Sequence, residues 1–155
     1  KRVCFYTLAG AHLLADIAGW YSPSADVGFI DFPPVRVFDT REPAGSPPIL
    51  ADEVIGFTLD DPEIKALAWN LTVTQTAGPG YVTGFPCSSP TLPEVSNVNF
   101  TGANQTVANF SILQPDSETD ICFYALTQTH LIADEAGVFT VPLPWEVFYD
   151  GEPTP

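Results

Sequence analysis

ALAWNLTVTQ, Ala66–Gln75, sets Leu67, Trp69, Leu71 and Val73 on one side of an extended chain and Ala68, Asn70, Thr72 and Thr74 on the other. Successive side chains of a strand point to opposite faces, so this period of two predicts a strand with one buried face, the first set turned to the core. Short apolar runs of the same kind predict strands at Val3–Leu8, Ala11–Trp20, Val35–Asp39, Val54–Leu59, Gly80–Phe85, Val95–Phe100, Thr106–Leu113, Ile121–Leu126, His130–Ala136 and Trp145–Tyr149. Sixteen prolines and eleven glycines are spread among these runs, where they stop helices and punctuate sheets. Only Asp60–Lys65, opening on Asp-Asp-Pro-Glu, reads as a brief helical turn. The expected class is all-β, an antiparallel β-sandwich of Greek-key or jelly-roll kind.

The chain also repeats itself. CFYTLAGAHLLADIAGWY (Cys4–Tyr21) and CFYALTQTHLIADEAGVF (Cys122–Phe139) align without a gap, sharing Cys, Phe, Tyr, Leu, His, Leu, Ala, Asp, Ala and Gly. A weaker echo follows each copy, PVRVFDTREP at Pro34–Pro43 and PWEVFYDGEP at Pro144–Pro153. The period is far longer than that of a solenoid of roughly 20 to 50 residues, which predicts small domains with separate cores. The expected organisation is the C-terminal strands of a preceding repeat at 1–21, a linker at 22–33, a complete sandwich repeat at 34–139, and at 140–155 a linker with the first strand of a following repeat or a C-terminal tail. SPSADVGFIDFPP, Ser22–Pro34, is rich in Pro, Ser and Asp and reads as an extended connector.

Nineteen acidic residues against five basic ones give a net charge of −14. Nucleic acid and anionic lipid are therefore disfavoured as partners, because both need clustered cations. The acidic groups read as a solvated exterior or as a calcium site; Asp60-Asp61 and the run Asp116, Glu118, Asp120 are the candidates for the latter, without an EF-hand loop pattern. Three cysteines without CxxC spacing argue against zinc and thioredoxin-type chemistry. Cys87 and Cys122 fall inside the complete repeat and are expected to form a disulfide, leaving Cys4, the copy of Cys122, without its partner; the alternative is three buried thiols. A disulfide implies an oxidising compartment outside the cytoplasm. The longest apolar stretch, Ala9–Tyr21, is interrupted by His12 and Asp16 and is too short to cross a bilayer, so no direct membrane insertion is expected. Because Lys1 is not a translation start, any export signal is expected upstream.

The segments AGWY, VRVFDTR, ALAWNLTVT, GPGYVTGFPC, SNVNFTGANQTVANF, ICFYA and THLIADEAGVF together resemble a module found in secreted and cell-surface proteins of actinobacteria and some other bacteria. The resemblance spans Pro34–Phe139 and the partial copy Cys4–Tyr21. It implies a tandem, all-β extracellular module carried beside secreted hydrolases or in long surface proteins, and it brings no established catalytic residues. The second echo departs from it, since Tyr149-Asp150-Gly151 stands where Asp39-Thr40-Arg41 is expected.

Asp39-Thr40-Arg41 is the sharpest polar motif. An arginine in a chain so poor in cations is expected to find a carboxylate, and a structural ion pair of Arg41 with Asp134 would tie the first strand of a repeat to its last. His12 and His130, each followed four residues later by Asp, share a strand face with it, yet no nucleophile signature accompanies them; His130 reads as a structural hydrogen-bonding group. N-x-[ST] sequons at Asn70, Asn99, Asn104 and Asn109 are candidate glycosylation sites in a eukaryotic secretory context and otherwise polar groups on strand faces and in turns.

Two function classes remain. One is a non-catalytic structural or adhesive spacer of a surface protein or filament, partnered by neighbouring repeats or identical subunits, with assembly by strand exchange. The other is a carbohydrate-binding module that anchors a secreted enzyme to cell wall or polysaccharide. Sugar rings stack on exposed aromatic faces, and the candidate contacts are Trp20, Tyr21, Trp145 and Tyr149; Trp69 reads as core. No cofactor is expected apart from the calcium candidate.

Overall fold

The computed structural model describes residues 2, 4–10, 12, 13, 15, 17–22 and 24–141. Eight strands follow in order: β1 Gly28–Asp39, β2 Glu53–Thr58, β3 Ile64–Thr74, β4 Gly80–Pro86, β5 Val98–Phe100, β6 Val107–Leu113, β7 Asp120–Ala125 and β8 His130–Thr140. They form two four-stranded antiparallel sheets, β1-β8-β3-β6 and β2-β7-β4-β5. This is the expected β-sandwich. The pairs β1·β8, β2·β7, β3·β6 and β4·β5 are the nested rungs of one long ribbon folded back on itself. Contacts of β8 with β3 and of β7 with β4 gather alternate rungs into the two sheets, which is jelly-roll connectivity.

Every strand expected between Val35 and Ala136 is present, with ends shifted by a few residues. The segments around it differ. None of the described residues before Gly28 lies in a strand, and the expected strand Trp145–Tyr149 lies outside the described residues. The stretch read as a linker at 22–33 is strand from Gly28 onward, pairing Gly28–Asp31 with Gly137–Thr140, so the unit begins at Gly28 rather than Pro34 and runs through Thr140. Pro33 and Pro34 are tolerated because β1 is an edge strand and they fall in the register shift between Asp31 and Val35, where no ladder donor is needed. Asp60–Lys65 is not helical: Ile64 N–H donates to the Asp61 carbonyl at 3.4 Å, closing a turn that runs into β3.

β3 buries the face that its alternation predicts, with Leu67, Trp69, Leu71 and Val73 fully enclosed. Val82, Val98, Ile121, Phe123 and Ala125 meet them from the opposite sheet. Trp69 lies nearly parallel to Phe123 (centroids 6.0 Å apart, 17° between planes), while Phe38 and Phe57 approach it edge-on. Its indole N–H donates to Glu135 Oε1 at 3.1 Å, so the ring is buried without an orphaned donor. A bulge in β8 makes that contact: Ala68 pairs with Gly137 but Trp69 with Glu135, leaving Ala136 extra.

The Cys87–Cys122 disulfide is present, joining the chain just after β4 to β7 within one sheet, and Cys4 is free and exposed. Closing a loop of sequence separation 35 restricts the unfolded chain by about 4 kcal/mol in the chain-entropy view.

β1 and β8 pack closely at Gly137. A Cβ there would lie 2.6 Å from the Ile30 carbonyl oxygen and equally close to the Phe29 ring. The Gly137→Ala protein is expected to lose about 2 kcal/mol of stability in urea denaturation, since a backbone atom must shift. At Gly56 the nearest atom is Cys122 Sγ at 4.0 Å, and Gly56→Ala is expected to be neutral or slightly stabilising in the same measurement.

Candidate functional site

The polar groups singled out in the sequence converge where the end of β1 meets the start of β8. Asp39 closes β1 opposite Ile132, and Arg36 stands opposite Asp134. Arg36 grips Asp134 with two bonds, Nε to Oδ1 at 2.8 Å and Nη2 to Oδ2 at 3.3 Å, and its Nη1 reaches Asp39 Oδ2 at 3.3 Å. Arg41 binds Asp39 instead: Nε donates to Oδ1 at 2.8 Å, Nη2 to Oδ2, and its own backbone N–H to Oδ1 at 3.0 Å. The expected Arg41–Asp134 pair is therefore replaced by Arg36–Asp134 and Arg41–Asp39. Antiparallel register decides this, since it faces Arg36 toward Asp134 while Arg41 lies beyond the last residue of the strand and folds back over the turn.

The members of this chain of charges are unequally buried. The Asp39 side chain is only 3% exposed, whereas Arg36 is 51% exposed. An exposed pair such as Arg36–Asp134 adds little, but a buried carboxylate held by two guanidiniums would be costly to strip of them. The Arg41 hydrogen bond, assisted by the charges of Arg41 and Arg36, holds the Asp39 carboxyl down at about 2 against the opposing effect of burial.

Thr40, between the two charged residues, completes the latch. Its N–H donates to the Leu131 carbonyl at 2.9 Å, its Oγ1 accepts from Leu131 N–H at 2.9 Å, and the same oxygen lies 3.0 Å from His130 Nδ1. His130 is buried against this hydroxyl and serves the structural role read from the sequence. Asp39, Thr40 and Arg41 thus bind one another and β8, and both carboxylate oxygens of Asp39 are occupied from within.

The carboxylates weighed as a calcium site are differently engaged. Asp116 Oδ1 accepts the N–H groups of Asp120 and Glu118, and Oδ2 that of Ser88, each at 2.9 Å. These backbone donors, Asp120 first, hold its carboxyl below the ordinary range. Asp120 Oδ1 takes the Thr58 hydroxyl at 2.6 Å and Asp61 Oδ1 the Glu63 N–H at 2.9 Å. Among the described residues no three His, Cys, Asp or Glu side chains converge as a metal group.

The sequon asparagines are dispersed over β3, β5 and β6 and the turn between the last two. Asn70 is half-buried, while Asn99, Asn104 and Asn109 are exposed, Asn104 with a φ of 55°. Asn109 Nδ2 donates to the Asn97 carbonyl at 2.7 Å, and Asn97, which is not in a sequon, accepts from Gly84 N–H at 2.7 Å.

Of the four aromatic residues proposed for sugar contact, Trp145 and Tyr149 lie outside the described residues. Trp20 and Tyr21 are 85% and 81% exposed beside the outer face of the first sheet. Tyr21 comes within 6.2 Å of Phe139, itself 4.9 Å from Phe29. Between this segment and the sheet runs a groove of about 590 Å³, with Trp20, Tyr21, Ile112, Phe139, Lys65 and Gln114 in its walls.

Comparison with protein-family models, curated proteins and solved structures finds no match.

Arg36 and Glu135 are the positions that sequence reasoning passed over. The arginine lies within the quoted VRVFDTR segment, and strand pairing alone gives it a partner. Asp39→Asn is expected to cost roughly 2 kcal/mol near neutral pH. Because the folded carboxyl titrates below its unfolded value of 3.8, the native chain loses this contribution as pH falls from about 4 to about 2. Urea midpoints of native and Asp39→Asn protein across that range should converge at the acid end. A gap independent of pH would refute the assignment.

Proposed function

We propose that the chain is a non-catalytic structural or adhesive module of a secreted or cell-surface bacterial protein, one sandwich unit in a tandem array. The observation that carries this reading is the fate of the repeated residues. Phe123 and Leu131 are fully buried in the core, whereas their copies Phe5 and Leu13 are 63% and 55% exposed. Residues 4–21 repeat the residues of β7 and β8, yet none of the described residues among them lies in a strand, which fits a hairpin that belongs to a different sandwich unit.

The polar contacts support the same reading, since Asp39, Thr40, Arg41 and His130 are spent on fastening β1 to β8. The disulfide fits an oxidising, extracellular setting, and among the described residues no helix is long and apolar enough to cross a membrane. The acidic surface favours solubility. Neighbouring repeats or identical subunits are the natural partners.

The groove at Trp20 and Tyr21 favours a second reading, a carbohydrate-binding module. Two exposed rings beside Lys65 and Gln114 offer stacking faces and hydrogen-bonding groups. Binding of the whole chain to arrayed polysaccharides separates the two. The structural reading expects no retention, and sedimentation across a concentration series should show association that disappears when residues 1–21 are removed. Retention that is abolished by Trp20→Ala would replace it with the second reading.

A further inference from the structure

The sandwich has one place for a β7–β8 hairpin, and the sequence contains two candidates for it. Eight of the ten shared positions of the repeat make an identifiable contact in the folded copy. Cys122 is bonded to Cys87, Phe123 stacks on Trp69, and the Tyr124 hydroxyl donates to Asp52 Oδ1 at 2.6 Å. His130 meets Thr40, Leu131 and Ala133 fill the core, Asp134 holds Arg36, and Gly137 admits the Ile30 carbonyl. Residues 4–21 carry the same residue types at the matching positions, namely Cys4, Phe5, Tyr6, His12, Leu13, Ala15, Asp16 and Gly19. Every partner named here, from Ile30 to Cys87, lies outside both copies.

Connectivity permits the exchange within one molecule. Ser22 is the copy of Thr140, and Thr140 pairs with Gly28 at the start of β1. If residues 12–22 took the position of β8, residues 23–27 would form the loop into β1, a length ordinary for a β-hairpin. The chain already turns there, with Ala25 N–H donating to the Ser22 carbonyl at 3.1 Å.

We propose that residues 4–22 are an alternative β7–β8 hairpin able to displace residues 122–140 from the same sandwich, moving the Cys87 disulfide from Cys122 to Cys4. The two arrangements are alternative packings of one sequence. The covalent step is a thiol–disulfide exchange in which the Cys4 thiolate attacks Cys87 Sγ and Cys122 leaves as a thiolate, with no net oxidation.

The differences between the copies explain why 122–140 occupies the site in the native chain. Ile17 stands in place of Glu135, which would leave the Trp69 indole N–H without its acceptor, and Trp20 in place of Val138 would crowd the core. The alternative is therefore a minor state that loss of the native hairpin should bring forward.

The experiment is disulfide mapping of the full chain, refolded in a glutathione buffer and digested for mass spectrometry. In Cys122→Ser, monomer carrying Cys4–Cys87 is expected as the main product with the sheet signal of the native protein retained. Adding Leu13→Asp should reduce the yield of that bond at least tenfold, because Leu13 must enter the core; a bond formed by a freely moving tail would be indifferent to it. In Leu131→Asp, the chain should still fold, with Cys4–Cys87 formed and Cys122 open to alkylation. The proposal is overturned if Cys4 stays free in Cys122→Ser, if Leu13→Asp leaves the yield unchanged, or if the bond appears only between chains. It also falls if Leu131→Asp fails to fold. Glycan retention does not bear on any of these outcomes, so this test and that of the functional reading fail separately.

Discussion

β8 is the strand on which the rest of the sheet depends. It lies between β1 and β3, so the first sheet is continuous only when the last strand of the unit inserts between two much earlier ones. The polar and steric details gather on it accordingly: Asp134 for Arg36, His130 for Thr40, Glu135 for the Trp69 indole, Gly137 for the carbonyl of Ile30. Its bulge at Ala136 is what aligns several of these at once, since one extra residue changes which side chains face the core beyond it. Such pairings are distant in sequence, and forming them requires closing long loops before any contact offsets the entropy.

The aromatic core supplies the cohesion that β8 organises. Trp69 from one sheet and Phe123 from the other fix the spacing of the two layers, and the surrounding rings fill it. Among the described residues no buried side-chain nitrogen or oxygen lacks a hydrogen-bond partner, as a low-dielectric interior demands. The buried carboxylate of Asp39 obeys the same rule at the margin of the sandwich. With five cations in the whole chain, the engagement of Arg41 with Asp39 and of Arg36 with both Asp39 and Asp134 takes up a large share of its positive charge. That allocation explains why a motif with the chemistry of a binding site serves as a fastening.

The repeat gives the unit a second character. A segment that copies the central strand of a sheet carries the information to pair as that strand does, wherever matching partners are presented. Proteins usually guard against surplus strands of this kind. Here the guard is chemical, because Ile17 and Trp20 replace the two residues on which a good fit with Trp69 and the core depends.

The amino-acid sequence alone determined the all-β class, the eight strands of the unit, the buried face of β3 and the cysteine pair, because each is written in local periodicity or in the position of a residue within the repeat. The tertiary structure decided what local pattern does not contain. Register assigned Arg36 rather than Arg41 to Asp134, since partners on paired strands are set by alignment across the sheet and not by distance along the chain. The proline-rich stretch before Val35 became strand because an edge position asks for only half of the hydrogen bonds that a central one needs. Trp20 and Tyr21, whose sequence reads no differently from a strand end, lie exposed beside a groove because the strands that would cover their segment are not among those paired with it. Periodicity reports which face of a segment is apolar; only the assembled sheets determine what that face meets.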